Sequence, residues 1–475
     1  MTETVTFASE LMAIDTSNRG DPDAPGTERP AAEYVAEKLT EVGYDVTYVE
    51  TGLRRGNVIA RLAGRDPRAL LIHGHLDVVP ADASEWSVHP FAGEVKDGFV
   101  WGRGAVDMKG MVAMTLATAR RLKRDGVVPP RDLIFAFLSD EEAGGWLGAR
   151  KLVDEHPELF DGATEAISEV GGFSVPLGGE RAYLVQVAEK SSVLLELLAR
   201  GAPGHGAMLH DDNPIARLAA AVDRLDRHRF PLTLTDPVRQ FLAGAAAALA
   251  DEGNDPDALV ARLGSLSRLI GASLRDTANV TEFQAGYRSN VVPSVATATV
   301  DCRVLPGRED AFRRETESVL GPGIETEWRS LPGVSTSFDG ALPAAMAAAI
   351  AAEDPGARLL PYLLPAGTDA KSFARLGVRN FGFAPLRLPE DLDFASLFHG
   401  VDERVPVDAL EFGTRVLDRL LTTDTTGTAR GADMTRRTDT AGTANTAGTA
   451  NTAGTANTAG TTNTTGTTGT TDTAG

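Results

Sequence analysis

Four short stretches of this chain, residues 69–72, 133–138, 166–167 and 381–383, carry no charged or polar side chain. A strand with one face in water alternates apolar and polar residues, so an unbroken run predicts a strand covered on both faces. Helix-like stretches separate the runs. After Thr27, placed to cap a helix, Val35, Leu39 and Val42 share one face before a stop at Gly43. A last helix is predicted from near Pro406 to about Leu421, with Ala409, Gly413, Val416 and Leu420 on one stripe. Strands and helices in this alternation predict an α/β fold, with a mostly parallel sheet covered by helices.

From about 190 to 333 the pattern changes. Strands are predicted at 193–198, 279–283, 295–304 and near 323–329, and helices at 213–225 and near 309–319. The strand at 295–304 alternates strictly. Ala296, Ala298, Val300, Cys302 and Val304 lie on one face, with Thr297, Thr299, Asp301 and Arg303 on the other. The order is βαββαβ, the ferredoxin-like arrangement. Residues 231–275 read as an Ala/Leu-rich helical insert within this block. The expected organisation is a larger domain formed by 1–189 and 334–421, an inserted domain at 190–333, and a tail at 422–475. The tail is Thr, Ala, Gly and Asn, with TAGTAN at 440–445, 446–451 and 452–457, and has no large apolar residue after Met434. Such a segment cannot offset its ordering entropy by burial, so disorder is expected.

Composition narrows the function classes. With 46 Lys+Arg against 66 Asp+Glu, the formal charge is −20. That balance argues against nucleic acid or an anionic membrane as partner. No apolar run approaches the roughly 18 residues of a membrane span. The start lacks the basic and apolar regions of a signal peptide. Cys302 is the one cysteine, which leaves no intrachain disulfide and no cysteine metal site. A cytoplasmic protein is expected.

Five metal-ligating side chains stand where predicted strands end or in loops: His75, Asp107, Glu142, Glu169 and His399. In open α/β sheets ligands bind beyond the carboxyl ends of the strands. His75 and Asp77 follow one run, Glu141 and Glu142 another, and Glu169 a third, so these loops should open on one edge. Each has an ordinary reading when taken alone. His75 and Asp77 could be a hydrogen-bonded loop, Glu141 and Glu142 a solvated turn, and Asp107 a helix cap. Together, two imidazoles and three carboxylates are what a two-metal hydrolase needs. The HGHLD stretch also invites the HxHxDH pattern of metallo-β-lactamase-like hydrolases. Val78 stands where that pattern needs its last histidine, and DMKG and SDEE would go unexplained.

GHLDVVP, WGRGAVDMKG, SDEEAGG, GTDAKSF and the late histidine, in that order over roughly residues 5–421, resemble the M20 family of metallopeptidases. The resemblance implies a zinc-peptidase-like catalytic domain with an inserted lid that often dimerises. It also implies two divalent ions, zinc first and cobalt or manganese as alternatives. Asp107 would bridge them, with His75 and Glu169 completing one site and Glu142 and His399 the other. Asp77 would hold the His75 ring by its other nitrogen, and a cis peptide would follow Asp107. Glu141 would be the general base, taking a proton as hydroxide attacks and passing it to the leaving amine. His205 in the lid would bind the oxyanion, commonly across a dimer. Asn290 and Arg303 would bind substrate, Arg303 by a bidentate grip on a carboxylate, although a surface pair with Asp301 remains open for it. Gly367 would let backbone approach the substrate, or be a plain turn glycine. The expected reaction is cleavage of a peptide or N-acyl amide bond next to a free carboxylate, carboxypeptidase- or dipeptidase-like. N-acyl-amino-acid deacylation is the alternative, and a non-catalytic binding protein on the same fold the remote one.

Overall fold

The computed structural model describes residues 1–21 and 23–426. Of the expected tail at 422–475, the residues from 427 onward lie outside the described residues.

A ten-stranded mixed sheet organises the chain. Its centre is parallel. Leu133–Leu138, Ala69–His75, Ala163–Ser168 and Arg379–Gly382 lie side by side in that order. Antiparallel strands flank the centre. Val46–Gly52 and Arg55–Leu62 form one side. On the other, Glu180–Glu189 joins Arg379–Gly382 antiparallel and takes Arg358–Leu364 parallel alongside it.

The apolar runs explain this arrangement. Every residue of Leu133–Leu138 and Ala69–His75 is buried. Alternate residues enter different cores, as the two-residue period of a strand requires. Leu70, Ile72, Leu133, Phe135 and Phe137 join the largest cluster, with Leu116 and Leu417 from the covering helices. Leu71, Ile134, Ala136 and Leu138 join a second cluster, with Leu152, Val153 and Phe373. A polar substitution at any of these strand positions would bury an unpaired group.

The predicted βαββαβ block is present. Thr277–Ala285, Val295–Val304, Ser191–Arg200 and Glu325–Leu331 form an antiparallel four-stranded sheet in that spatial order. The helices Pro214–Arg227 and Glu309–Leu320 supply Leu218, Leu225 and Phe312 to the core beneath it, where Ala296, Ala298, Val300, Cys302 and Val304 also point.

Two expectations need correction. The helical insert at 231–275 does not pack on this smaller sheet. Its helices Asp236–Ala248, Pro256–Ala261 and Ser267–Ala272 place Val238, Phe241, Leu259 and Ile270 in the core of the large sheet, with Tyr183, Val185 and Leu360. The physical reason is that the strand Arg358–Leu364 leaves apolar surface that the insert covers. Thr27 does not cap the first long helix either. That helix runs Arg29–Thr40 with Glu28 at the N-cap and no side-chain cap bond. The Thr27 hydroxyl instead donates to Ser17 O at 3.1 Å. The final helix is Val407–Thr422. Among the described residues no helix is long and apolar enough to cross a membrane.

Candidate active site

His75 is the last residue of its strand. Glu141 and Glu142 open a short turn after Leu133–Leu138, and Glu169 follows Ala163–Ser168. Those three strands run parallel and adjacent, so their ends deliver the side chains to one edge, as open α/β sheets do. Asp107 comes from the loop before the helix Lys109–Arg124, and the Asp107–Met108 peptide is cis. His399 lies just after the turn Phe394–Leu397.

The five side chains converge as two groups that share Asp107. His75 Nε2 is 3.0 Å from Asp107 Oδ1 and 3.4 Å from Glu169 Oε2. His399 Nε2 is 3.3 Å from Asp107 Oδ2 and 3.1 Å from Glu142 Oε2. Each group keeps its potential ligand atoms within 4.8 Å of one another. The donor chemistry suits divalent cations. His75 Nδ1 lies 2.9 Å from the Asp77 carbonyl. A proton held there leaves Nε2 with a free lone pair toward the carboxylates, the tautomer a metal ligand needs. Glu142 Oε1 is buried with no hydrogen-bond partner.

The electrostatics of the bare side chains say the same. Burial pushes Glu169 up to about 8, against the opposing pull of His75. Burial and then the Glu169 charge push Glu141 well above the carboxylate range. Burial would depress His75, but Glu169, Asp107 and Glu141 outweigh it and hold the imidazole well above its ordinary value. Hydrogen bonds to Asp107 and Glu142 raise His399 to about 10. Burial opposes ionisation of Asp107, yet the two imidazoles keep it below the usual range. The cluster favours positive charge among its carboxylates.

Asp77 meets the other nitrogen of the His75 ring through its main chain. It is the main-chain carbonyl that holds the His75 ring, while the carboxylate Oδ1 stands farther off, at 3.6 Å from Nδ1. The carboxylate instead accepts the backbone N–H groups of Glu141 and Glu142, both at 3.1 Å. Asn18 Nδ2 donates to Asp77 Oδ2 at 2.9 Å and to Asp140 Oδ1 at 3.2 Å. Arg55, buried and paired with Glu28, stands 3.1 Å from the same Asp140 oxygen. The reason for the difference is that both carboxylate oxygens of Asp77 are drawn to three N–H donors. Neither Asn18 nor Glu403 was singled out from the sequence. Glu403 is fully buried and anchors the Asp107 loop. Its only sequence signal is an acid close after His399.

A cavity of about 810 Å³ joins this cluster to the smaller sheet. Asp107, Glu141, Glu142, Glu169 and His399 line one part, and Ser192, Arg303 and Gly367 another. Arg303 does form the surface pair left open from sequence: Nε lies 2.8 Å from Asp301 Oδ1 and Nη2 3.2 Å from Oδ2. It also faces the cavity, with Nη1 donating to Ser192 Oγ at 2.8 Å. His205 and Asn290 are brought together, since Gly206 N donates to Asn290 O at 2.9 Å. Neither lines this cavity.

A profile of peptidase family M20/M25/M40 matches residues 71–423. The chain belongs to this family. Members of family M20/M25/M40 are enzymes of the peptidase and amidohydrolase type, and this chain is one. Among its relatives is the N-fatty-acyl-amino acid synthase/hydrolase PM20D1 of Xenopus tropicalis. That protein is 29% identical over 412 residues, 81% of this chain and 78% of its own length. A probable carboxypeptidase S-like 2 of Dictyostelium discoideum is 29% identical over 367 residues, covering 72% of this chain and 68% of its own. The fold is shared with the M20 family metallo-carboxypeptidase Sso-CP2 of Sulfolobus solfataricus, at a TM-score of 0.69 and 19% identity. The match covers 89% of this chain and 99% of that one.

Proposed function

We propose that this M20/M25/M40 family enzyme holds two divalent cations and hydrolyses a peptide or N-acyl amide bond next to a free carboxylate. One observation carries the reading: a single cavity is lined both by Asp107, Glu142, Glu169 and His399 and by Arg303. In this reading His75, Asp107 and Glu169 hold one cation, and Asp107, Glu142 and His399 the other. When bound, such cations polarise a carbonyl and lower the pKa of a water.

The chain's own residues do the rest. Glu141 Oε2 stands 3.8 Å from His75 Nε2, beside both groups and outside either ligand set. Its carboxyl is held above the ordinary range, first by burial and then by Glu169. A group so tuned takes a proton from the attacking water and returns it to the departing nitrogen. Asp77 fixes the Glu141 main chain, so the base cannot drift from the reacting atoms. Arg303 holds the substrate carboxylate and so fixes which amide bond meets Glu141.

Carboxypeptidase- or dipeptidase-like cleavage is the leading form of the reaction. A second form, N-acyl-amino-acid deacylation, is favoured by the cavity walls, where Trp146, Phe173, Leu269, Leu331 and Phe398 offer an apolar surface to an acyl chain. Zinc as the metal, a cytoplasmic setting and a homodimer through the smaller sheet's block complete the proposal. In such a dimer His205 and Asn290 would act on the partner's substrate. Amine release by zinc-loaded protein across dipeptides, N-acetyl and long-chain N-acyl amino acids tests the reading. Cleavage confined to compounds with a free α-carboxylate supports it; release from their carboxamides at equal rates sinks it.

A further inference from the structure

The segment PAGTDAKSF was notable in the sequence for Gly367, but the structure gives the space at that glycine to another residue. A Cβ on Gly367 would collide with Lys371 Nζ and stand 3.5 Å from Ser192 Oγ. The glycine therefore makes room for an ammonium group, pressed over its Cα and lining the same cavity as Arg303. Ser192 Oγ, on the other side of that space, accepts from Arg303 Nη1 at 2.8 Å. Two cations thus flank one hydroxyl and one bare backbone position.

We propose that Lys371 and Arg303 together, with Ser192 and the Gly367 backbone between them, form the site that takes the substrate's free carboxylate. The proposal rests on the reading above that the substrate carries such a group, and assigns its recognition to a second residue.

The donor count leaves both cations available. Lys371 Nζ gives one hydrogen bond to Glu189 Oε2 at 2.7 Å, and an ammonium has three N–H donors. Lys371 is the cation paired with Glu189, which keeps further donors. That buried carboxylate also accepts from Thr368 N at 3.0 Å, Thr368 Oγ1 at 2.5 Å and Gln186 Nε2 at 3.1 Å. Arg303 has five N–H donors and commits three, two to Asp301 and one to Ser192. The ammonium is mostly shielded, at 11% side-chain exposure, so an anion beside it is little screened. A carboxylate has lone pairs enough to accept from the guanidinium edge, the ammonium and the hydroxyl at once. A carboxamide of the same shape would turn N–H donors toward two cations.

The test is a binding comparison that does not need turnover. N-acetyl-L-leucine and N-acetyl-L-leucinamide are titrated into the zinc-loaded Glu141→Gln protein by calorimetry, with and without Lys371→Met, and with Lys371→Arg as the charge-conserving control. Thermal unfolding checks that each variant is folded. The expected result is a roughly ten- to hundred-fold loss of affinity for the acid in Lys371→Met, partly restored in Lys371→Arg, with the amide unchanged. Equal losses for acid and amide would make Lys371 merely structural and overturn the proposal. An unchanged preference for the acid, or no binding of the acid to the Lys371-containing protein, would overturn it too. Lys371-dependent acid binding by an enzyme that cleaves none of the panel would instead leave this site standing and remove the hydrolytic reading.

Discussion

Glu403 holds Asp107 from behind: its Oε1 accepts the backbone N–H of Asp107 at 3.0 Å and that of Val106 at 2.6 Å. Its other oxygen takes Gly104 N at 3.0 Å and Arg103 Nη1 at 2.8 Å. One buried carboxylate so fixes the loop that presents the ligand shared by both groups.

Replacing Glu403 by Ala strands the buried Arg103 guanidinium and several N–H donors. Removing one partner of a buried pair costs about 3–5 kcal/mol. The expected outcome is a matching fall in unfolding free energy, with metal content reduced because the Asp107 loop relaxes. Denaturant unfolding and elemental analysis of the folded variant check both.

Asn18 separates two carboxylates, Asp77 and Asp140, with one amide. Asn18→Leu removes that donor and leaves the acids facing each other. A loss of about 1–3 kcal/mol in stability is expected. A drop of roughly ten-fold or more in kcat should accompany it, since Asp77 carries the Glu141 and Glu142 turn. An unchanged KM with reduced kcat would be the signature.

Lys190 supplies a pH prediction away from the metal groups. It is fully buried, with Nζ donating to Arg275 O at 2.5 Å. Burial brings it down to about 8, Asp276 opposing, against an ordinary 10.5. Between those values the unfolded chain binds more protons than the folded one, so the stability contributed here rises with pH across that window. Below about 8 the full penalty for a buried charge is present. Lys190→Met should unfold with a flatter pH dependence from 8 to 10.5, measured by chemical denaturation. A wild type and variant with parallel profiles would contradict the assignment.

The sequence made the strand ends legible because parallel buried strands are apolar throughout and their termini carry polar groups with no structural need to be there. His75, Glu142 and Glu169 were found that way. Asp107 and His399 lie in loops, where no strand end marks them, and the structure brings both beside the other three side chains. The packing partner of the 231–275 insert was not legible, since an apolar helix face fits either sheet. Nor was the division of labour within Asp77, because a backbone carbonyl leaves no mark in a sequence. Lys371 was hidden for a similar reason: its access to the cavity depends on the missing side chain at Gly367.

In the proposed mechanism Asp107 ties together two cation sites while Glu141 moves the proton. Metal content and turnover, measured side by side for zinc-loaded wild type, Asp107→Asn and Glu141→Gln, test it most directly. The expected result is about two ions per chain in the wild type and in Glu141→Gln, with turnover in the latter down by at least about 10²-fold. Asp107→Asn should hold fewer ions. A Glu141→Gln protein that loses its metal would make Glu141 a ligand, and one that keeps wild-type turnover would remove it as the base.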